Sequence, residues 1–297
     1  MRERSKGYGI FLVPGFILLV IVIGIPFLMS LSVSFTKWTG VGKPEFVGLA
    51  NYRSALADPI FWASFRNNLQ LIFAITVIPT FIGLLLSVFL FDYVSDTLGT
   101  HTVNFFRTAY YLPQVLPVAI AGIVWGWILN PKQGALNSLL KLFGLGGLAQ
   151  NWLGNPATAL NSVMMIMIWF QIGYPLIIFM AGLQRVDPQV IEAAEVDGAN
   201  WYQKFRIYVY MIRPELLVVV LTSMIYSLKL FSQIYVLTRG GPGTATMVPS
   251  YFAYQNFFEK TRVGYGSTVA MIMTVIIVIL EVIFITCQSK MTDEGEY

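Results

Sequence analysis

Two groups of residues in this sequence have types and spacings that could do chemistry. Tyr226, Lys229 and Gln233 recur at helical spacing inside a long apolar stretch, so they share one face of a helix. An ammonium in such surroundings faces a cavity or a partner group, because leaving it against lipid is costly. That face could hydrogen-bond a polar solute; Lys229 could equally make a structural ion pair with a second chain. In the preceding apolar stretch Gln171 and Tyr174 flank Gly173, just ahead of Pro175.

The second group lies in the polar segment 184–213. Asp187 followed by Pro188 reads as a helix N-cap with proline at the first helical position. A short helix then runs to Asp197 and stops at Gly198, which suits a left-handed cap. Asn200 can cap a second helix, on which Trp201, Phe205 and Tyr208 fall on one face. The segment is expected to form helix, turn and helix, the first about 15 Å long. Such a rigid knob can dock on a partner; it can also be no more than a surface helix pair joining two spans.

No reaction chemistry is encoded. The single cysteine, Cys287, rules out an internal disulfide or a cysteine-based metal site, and the single histidine, His101, lies in a short polar loop. No G-x-x-x-x-G-K-[ST] phosphate-binding loop occurs. No metal-ligand cluster or nucleophile–base pair stands out. The chain is read as non-catalytic, with no cofactor bound by the chain itself. Met164, Met165, Met167, Trp169 and Phe170 are read as packing residues, and Glu281 as a snorkelling or interhelical group.

Elements that could hold these groups follow from composition. Only 11% of residues are charged while 56% are hydrophobic, and a soluble surface needs about 25% charged residues. Six apolar stretches can cross a hydrocarbon core about 30 Å thick: 10–35, 67–91, 108–129, 157–183, 215–237 and 267–288. All should be helices, since only helices satisfy their own backbone in lipid. The expected fold class is all-α, a polytopic membrane protein with six transmembrane helices and a single membrane domain over 1–297. Arg2, Arg4 and Lys6 imitate a signal peptide, but the uncharged run after them is too long for one, so it is kept as a span. The net charge of +4 comes with no basic stripe, which argues against nucleic acid. Lys and Arg divide evenly between the two membrane sides, so apart from the basic N-terminus charge leaves orientation open. A short interfacial helix is expected at 135–143.

Glu192-Ala193-Ala194, then Asp197-Gly198-Ala199, then Ile212 and Pro214 resemble the EAA motif of binding-protein-dependent ABC importer permeases. Their position before the second-last span is the family's position. The resemblance implies a type I ABC importer permease fold, with 184–213 as the cytoplasmic coupling loop that docks in a groove of a separate ATPase subunit. Ala193 and Ala194 would leave a small-sided face, Glu192 a carboxylate for a basic group across the interface, and Gly198 the turn that sets the knob's angle. Both termini would then be cytoplasmic. Arg213 departs from the leucine usual before the family's proline.

A second set of runs narrows the family: Val13-Pro14-Gly15, Ser34-Phe35-Thr36-Lys37-Trp38, Phe46-Val47-Gly48-Leu49-Ala50-Asn51-Tyr52, Asp58-Pro59-Ile60-Phe61-Trp62, Tyr111-Leu112-Pro113 and Thr238-Arg239-Gly240-Gly241-Pro242. These look like carbohydrate-uptake permeases of the maltose-type first subunit, across essentially the whole chain. In that family the segment before Pro175 and the middle of span five line the sugar site. Aligned on the Gly-Tyr-Pro and Thr-x-Gly-Gly-Pro landmarks, the matching positions are Ile172, Gly173, Leu176, Tyr226, Ser227 and Leu230, beside Lys229. Leu176 and Leu230 are apolar where a sugar-binder would place polar or aromatic groups. The family's complex would add a second related permease, two copies of an ABC ATPase carrying ATP and Mg, and an extracytoplasmic solute-binding protein. Its place is the bacterial cytoplasmic membrane.

The function so implied is translocation of a carbohydrate, an oligosaccharide, into the cytoplasm by alternating access. One alternative is import of a polyol or glycerol phosphate ester, although a strongly anionic cargo should require more buried cations than Lys229. Another is a stand-alone secondary transporter, which should show repeat halves; none is found.

Overall fold

The computed structural model describes residues 9–293, and side chains within 11–286 except Asp96. Arg2, Arg4 and Lys6, both chain ends, and the side chain of Cys287 lie outside the described residues. Four helices among the described residues are long and apolar enough to cross a membrane: Phe11–Ser34, Pro59–Val94, Pro156–Leu183 and Val263–Thr286. Two bent pairs, Thr97–Val115 with Val118–Ile128 and Trp201–Met211 with Arg213–Leu228, raise the number to six if each is one span.

Helix bounds depart from expectation at three places, each for a local reason. The second long helix starts at Pro59 and not near 67, because Asp58 Oδ1 accepts the Ile60 N–H at 2.8 Å and Pro59 suits the first helical position. The stretch 108–129 is two helices meeting at 97°. Pro117 disfavours the helical region for Leu116, which is extended at φ −69°, ψ 133°. The stretch 215–237 breaks after Leu228: Lys229 ends that helix, Phe231 sits at φ −134°, ψ −60°, and a short helix Ser232–Leu237 follows. Lys229 thus stands at a break and not within a continuous helix. The helix expected at 135–143 is present as Ala135–Leu142.

Two compact units make up the chain. The smaller contains described residues up to Trp62 together with Pro249–Ile276. Its loop forms an antiparallel pair, β1 (Thr36–Lys37) with β2 (Glu45–Phe46), and a helix Ala50–Ala57. Asn51 Nδ2 donates to the Ser34 and Thr36 carbonyls at 2.9 and 2.8 Å, Thr268 Oγ1 to the Ser34 carbonyl at 2.9 Å, and Tyr265 to Asp58 at 2.8 Å. The Asn51 and Thr268 bonds occupy backbone carbonyls at the end of the first long helix and in the loop after it.

The larger unit spans Ala63–Val248 and the end of the last helix. One apolar cluster gathers Leu84, Val88, Phe179, Leu183, Tyr208, Ile212 and Val219; another gathers Leu90, Val94, Val103, Leu176 and Met180. Polar side chains bond across the same helices, as suits a medium without water. Gln114 donates to Gln171 at 3.1 Å, Gln171 to Ser223 at 3.4 Å, and the Tyr174 and Thr222 hydroxyls pair at 2.8 Å.

Candidate functional site

The segment 187–211 folds as its caps dictate. Asp187 Oδ1 accepts the Gln189 N–H at 3.0 Å and opens helix Pro188–Val196. At its other end the Gly198 N–H reaches the Glu195 carbonyl at 3.0 Å and the Ala199 N–H reaches the Ala194 carbonyl at 2.9 Å. Gly198 has φ +76°, which completes a Schellman cap. Asn200 and Gln203 then exchange bonds of 3.0 and 2.7 Å in a capping box that opens Trp201–Met211.

The knob has two faces. Val186, Ile191, Phe205 and Val209 pack on the cluster around Tyr208 and Ile212. Glu192, Ala193, Asp197 and Gly198 are exposed, with Ala194 and Ala199 half-buried beside them. Val196 is 90% exposed and Tyr202 is exposed as well. The helix thus turns small and apolar side chains outward. Arg185 and Glu215 pair at its base.

The other site is a cavity of about 490 Å³ at the helix break, lined by Thr222, Tyr226, Lys229, Leu230, Ser232 and Gln233 among others. Gln233 Nε2 donates to the Tyr226 hydroxyl at 2.5 Å. The lining holds no carboxylate, and Lys229 makes no ion pair among the described residues. Phenol, amide, hydroxyls and one ammonium can share hydrogen bonds with a hydroxylated solute.

Of the expected path residues, Tyr226, Lys229 and Leu230 line this cavity. The others lie in packing. Ser227 is fully buried, donating to the Ser223 carbonyl at 2.7 Å while its own carbonyl accepts from Asn68 at 3.0 Å. Leu176 is 0% exposed within its cluster. Gly173 is buried where a Cβ would run into the Tyr110 carbonyl and the Tyr111 backbone. Ile172, half-buried, joins Pro156–Gln171 to Gly173–Leu183.

Three features escape sequence reasoning. Thr222 precedes Tyr226 by one helical turn, and that spacing could have flagged it; Ser232 had no such signal. The third is Asp92, in a π-helical turn Phe89–Val94 that ends the second long helix. Lys204 Nζ lies 3.2 and 3.1 Å from its two carboxylate oxygens, and the Tyr208 hydroxyl donates to it at 2.9 Å. Lys204 also donates to Glu195 at 2.9 Å. The Glu195 hydrogen bond, followed by the bond and charge of Asp92, holds the Lys204 ammonium above the usual lysine pKa against its partial burial. No local spacing links Asp92 to Lys204, 112 residues away.

Helical spans, a capped knob before the last-but-one of them and a polar cavity at a helix break describe the membrane subunit of a solute transporter. Residues 97–291 match the family model described as "Binding-protein-dependent transport system inner membrane component", and the chain belongs to that family. It is 36% identical over 269 residues to a probable ABC transporter permease of Pyrococcus horikoshii, covering 89% of each chain. It is 32% identical to the probable starch degradation products transport system permease AmyD of Thermoanaerobacterium thermosulfurigenes, covering 95% of this chain and 94% of that one. The fold is that of a solved ABC transporter involved in import of the acidic polysaccharide alginate: TM-score 0.84 at 21% identity, covering 98% of this chain and 97% of that one.

Proposed function

We propose that this chain is one permease subunit of an ABC importer that carries a carbohydrate into the cytoplasm by alternating access. It acts as one permease domain of six spans, with 184–213 as its cytoplasmic coupling loop and both termini cytoplasmic. The observation that carries the reading is the Glu192–Ala199 run, formed by the end of a doubly capped helix and the turn after it, with Glu192, Ala193 and Asp197 exposed. Glu192, Ala193, Ala194, Asp197, Gly198 and Ala199 form the contact with an ATPase; two copies of that ATPase bind ATP and Mg. A second related permease and an extracytoplasmic solute-binding protein complete the complex. The names of the relatives support a carbohydrate as cargo, as does a cavity rich in hydrogen-bonding groups.

The topology is tested with single cysteines at Asn51, Asn151 and Asn200 in a Cys287→Ser background. In intact cells an impermeant thiol reagent should label the first two and spare the third. Labelling at Asn200 alone sinks the topology. Function is tested in proteoliposomes holding the whole complex. Glu192→Lys should abolish sugar uptake and solute-stimulated ATPase together while leaving the two permeases paired; normal uptake by this variant rejects the coupling assignment.

A second reading, a glycerol phosphate ester as cargo, is favoured by the unpaired Lys229 in the cavity. Lys229→Met separates the two: an ester importer loses uptake, whereas a neutral-sugar importer keeps most of it.

A further inference from the structure

The cluster around Asp92 joins side chains from distant parts of the chain. Three segments meet at the Lys204 ammonium: the π turn that ends Pro59–Val94, the last turn of Pro188–Val196 through Glu195, and Trp201–Met211, which carries Lys204. The two arms differ in their exposure to water. The Asp92 and Lys204 side chains are only 13% and 16% exposed, and Asp92 is bonded further by Tyr208. Glu195 is 54% exposed, so its arm is solvent-screened and exchangeable.

Seating the knob does not require this charge. Phe91, Ile191 and Phe205 already pack around Tyr208, with Phe91 edge-on to the Tyr208 ring at 6.0 Å. A largely buried ion pair seldom improves on apolar packing in stability, and its best-attested use is to fix register. Apolar contacts slide; a carboxylate holding both an ammonium and a phenol admits one arrangement. The π turn supplies the aim, since the wider turn shifts the direction of side chains around it.

We infer that Asp92 and Lys204 form a clamp that transmits displacement of the knob to the second long helix, with Glu195 as its releasable outer arm. Asp92 and Lys204 are positioning residues: they lie outside the cavity lining and outside the Glu192–Ala199 run, and they set how far the long helix follows the coupling helix. This inference rests on the coupling reading given above for the knob, and it adds the mechanical link behind it.

The test uses the complete complex in proteoliposomes and reads solute taken up per ATP hydrolysed. Asp92→Asn and Lys204→Met should each lower that ratio by at least about fivefold, the low end of measured couplings between sites, with assembly and basal ATPase retained. Lys204→Arg should restore most of it, and Glu195→Gln should cost less than the other two. An unchanged ratio in both Asp92→Asn and Lys204→Met overturns the clamp. So does loss of assembly in Lys204→Arg, which would make the cluster a folding element. A second measurement needs neither transport nor ATPase. In the purified chain, amide exchange at 188–196 and at 89–94 should rise together in Lys204→Met and recover in Lys204→Arg. If the wild-type complex moves no carbohydrate, the functional reading fails while this exchange pattern still decides the clamp. Exchange that rises at 188–196 alone overturns it.

Discussion

The knob and the cavity are built in opposite ways. Every bond that shapes the knob's helix ends closes within a few residues: Asp187 to Gln189, Gly198 to Glu195, Ala199 to Ala194, Asn200 to Gln203. The cavity takes most of its lining from 222–233 and the rest from a distant segment. It opens where Lys229 ends one helix before Ser232 starts another, and Val118, from the arm after the 97° bend, faces it from far along the chain. On the proposed reading the knob is a docking surface, which must keep its shape when the partner pulls on it, and dense local bonding supplies that. On the same reading the cavity belongs to the solute path, which must rearrange, and a broken helix permits that.

Two glycines show the same contrast. Around Gly198 a Cβ would meet nothing within 4 Å, yet its φ of +76° disfavours any other residue. Gly173 has ordinary helical geometry, and a Cβ there would strike the Tyr110 backbone. The first is required by conformation and the second by proximity, so replacing them should fail differently.

Gly173→Ala should have the largest effect. Overpacking at a backbone contact costs about 1–3 kcal/mol or more, and it acts on helix packing throughout the larger unit. A lowered unfolding midpoint in detergent, with less permease recovered in the complex, is expected; an unchanged midpoint would show that the helices separate freely there. Gly198→Val comes next, at about 1–3 kcal/mol of backbone strain confined to the cap. Assembly with the second permease should survive while uptake and solute-stimulated ATPase fall together. If folding and assembly collapse as well, the knob is not the self-contained unit its bonds suggest.

Asn200→Ala removes one cap, worth about 1 kcal/mol, and should speed exchange of the 201–203 amides without altering the midpoint. Smallest is Tyr226→Phe, which deletes one hydroxyl and its bond to Gln233 at a net cost of about 0.5–1.5 kcal/mol. Solute affinity should weaken a few-fold at unchanged basal ATPase. Equal loss in Asn200→Ala and Tyr226→Phe of both affinity and coupling would erase the division of labour between the regions.

Much of this could be read before any fold was known. Helical class and membrane residence followed from the scarcity of charge, because lipid tolerates neither exposed backbone nor unpaired ions. The knob's helices were legible down to the capping residues, since caps depend on residue types at adjacent positions. Placing path residues by family landmarks was less informative: Leu176, Ser227 and Gly173 share stretches with Tyr226 or with each other, yet they turn into packing. Helical spacing says which residues share a face, and not which way that face is turned.

Tertiary structure alone decided the rest. Whether Asp92 meets Lys204 and why position 173 must be glycine depend on segments tens of residues or more apart. The physical reason is range. A cap is a bond between near neighbours in the chain, so its code is local. A cavity wall or an ion pair between distant elements is set by how whole helices rotate and pack, and that is a sum over many weak contacts with no short motif to announce it.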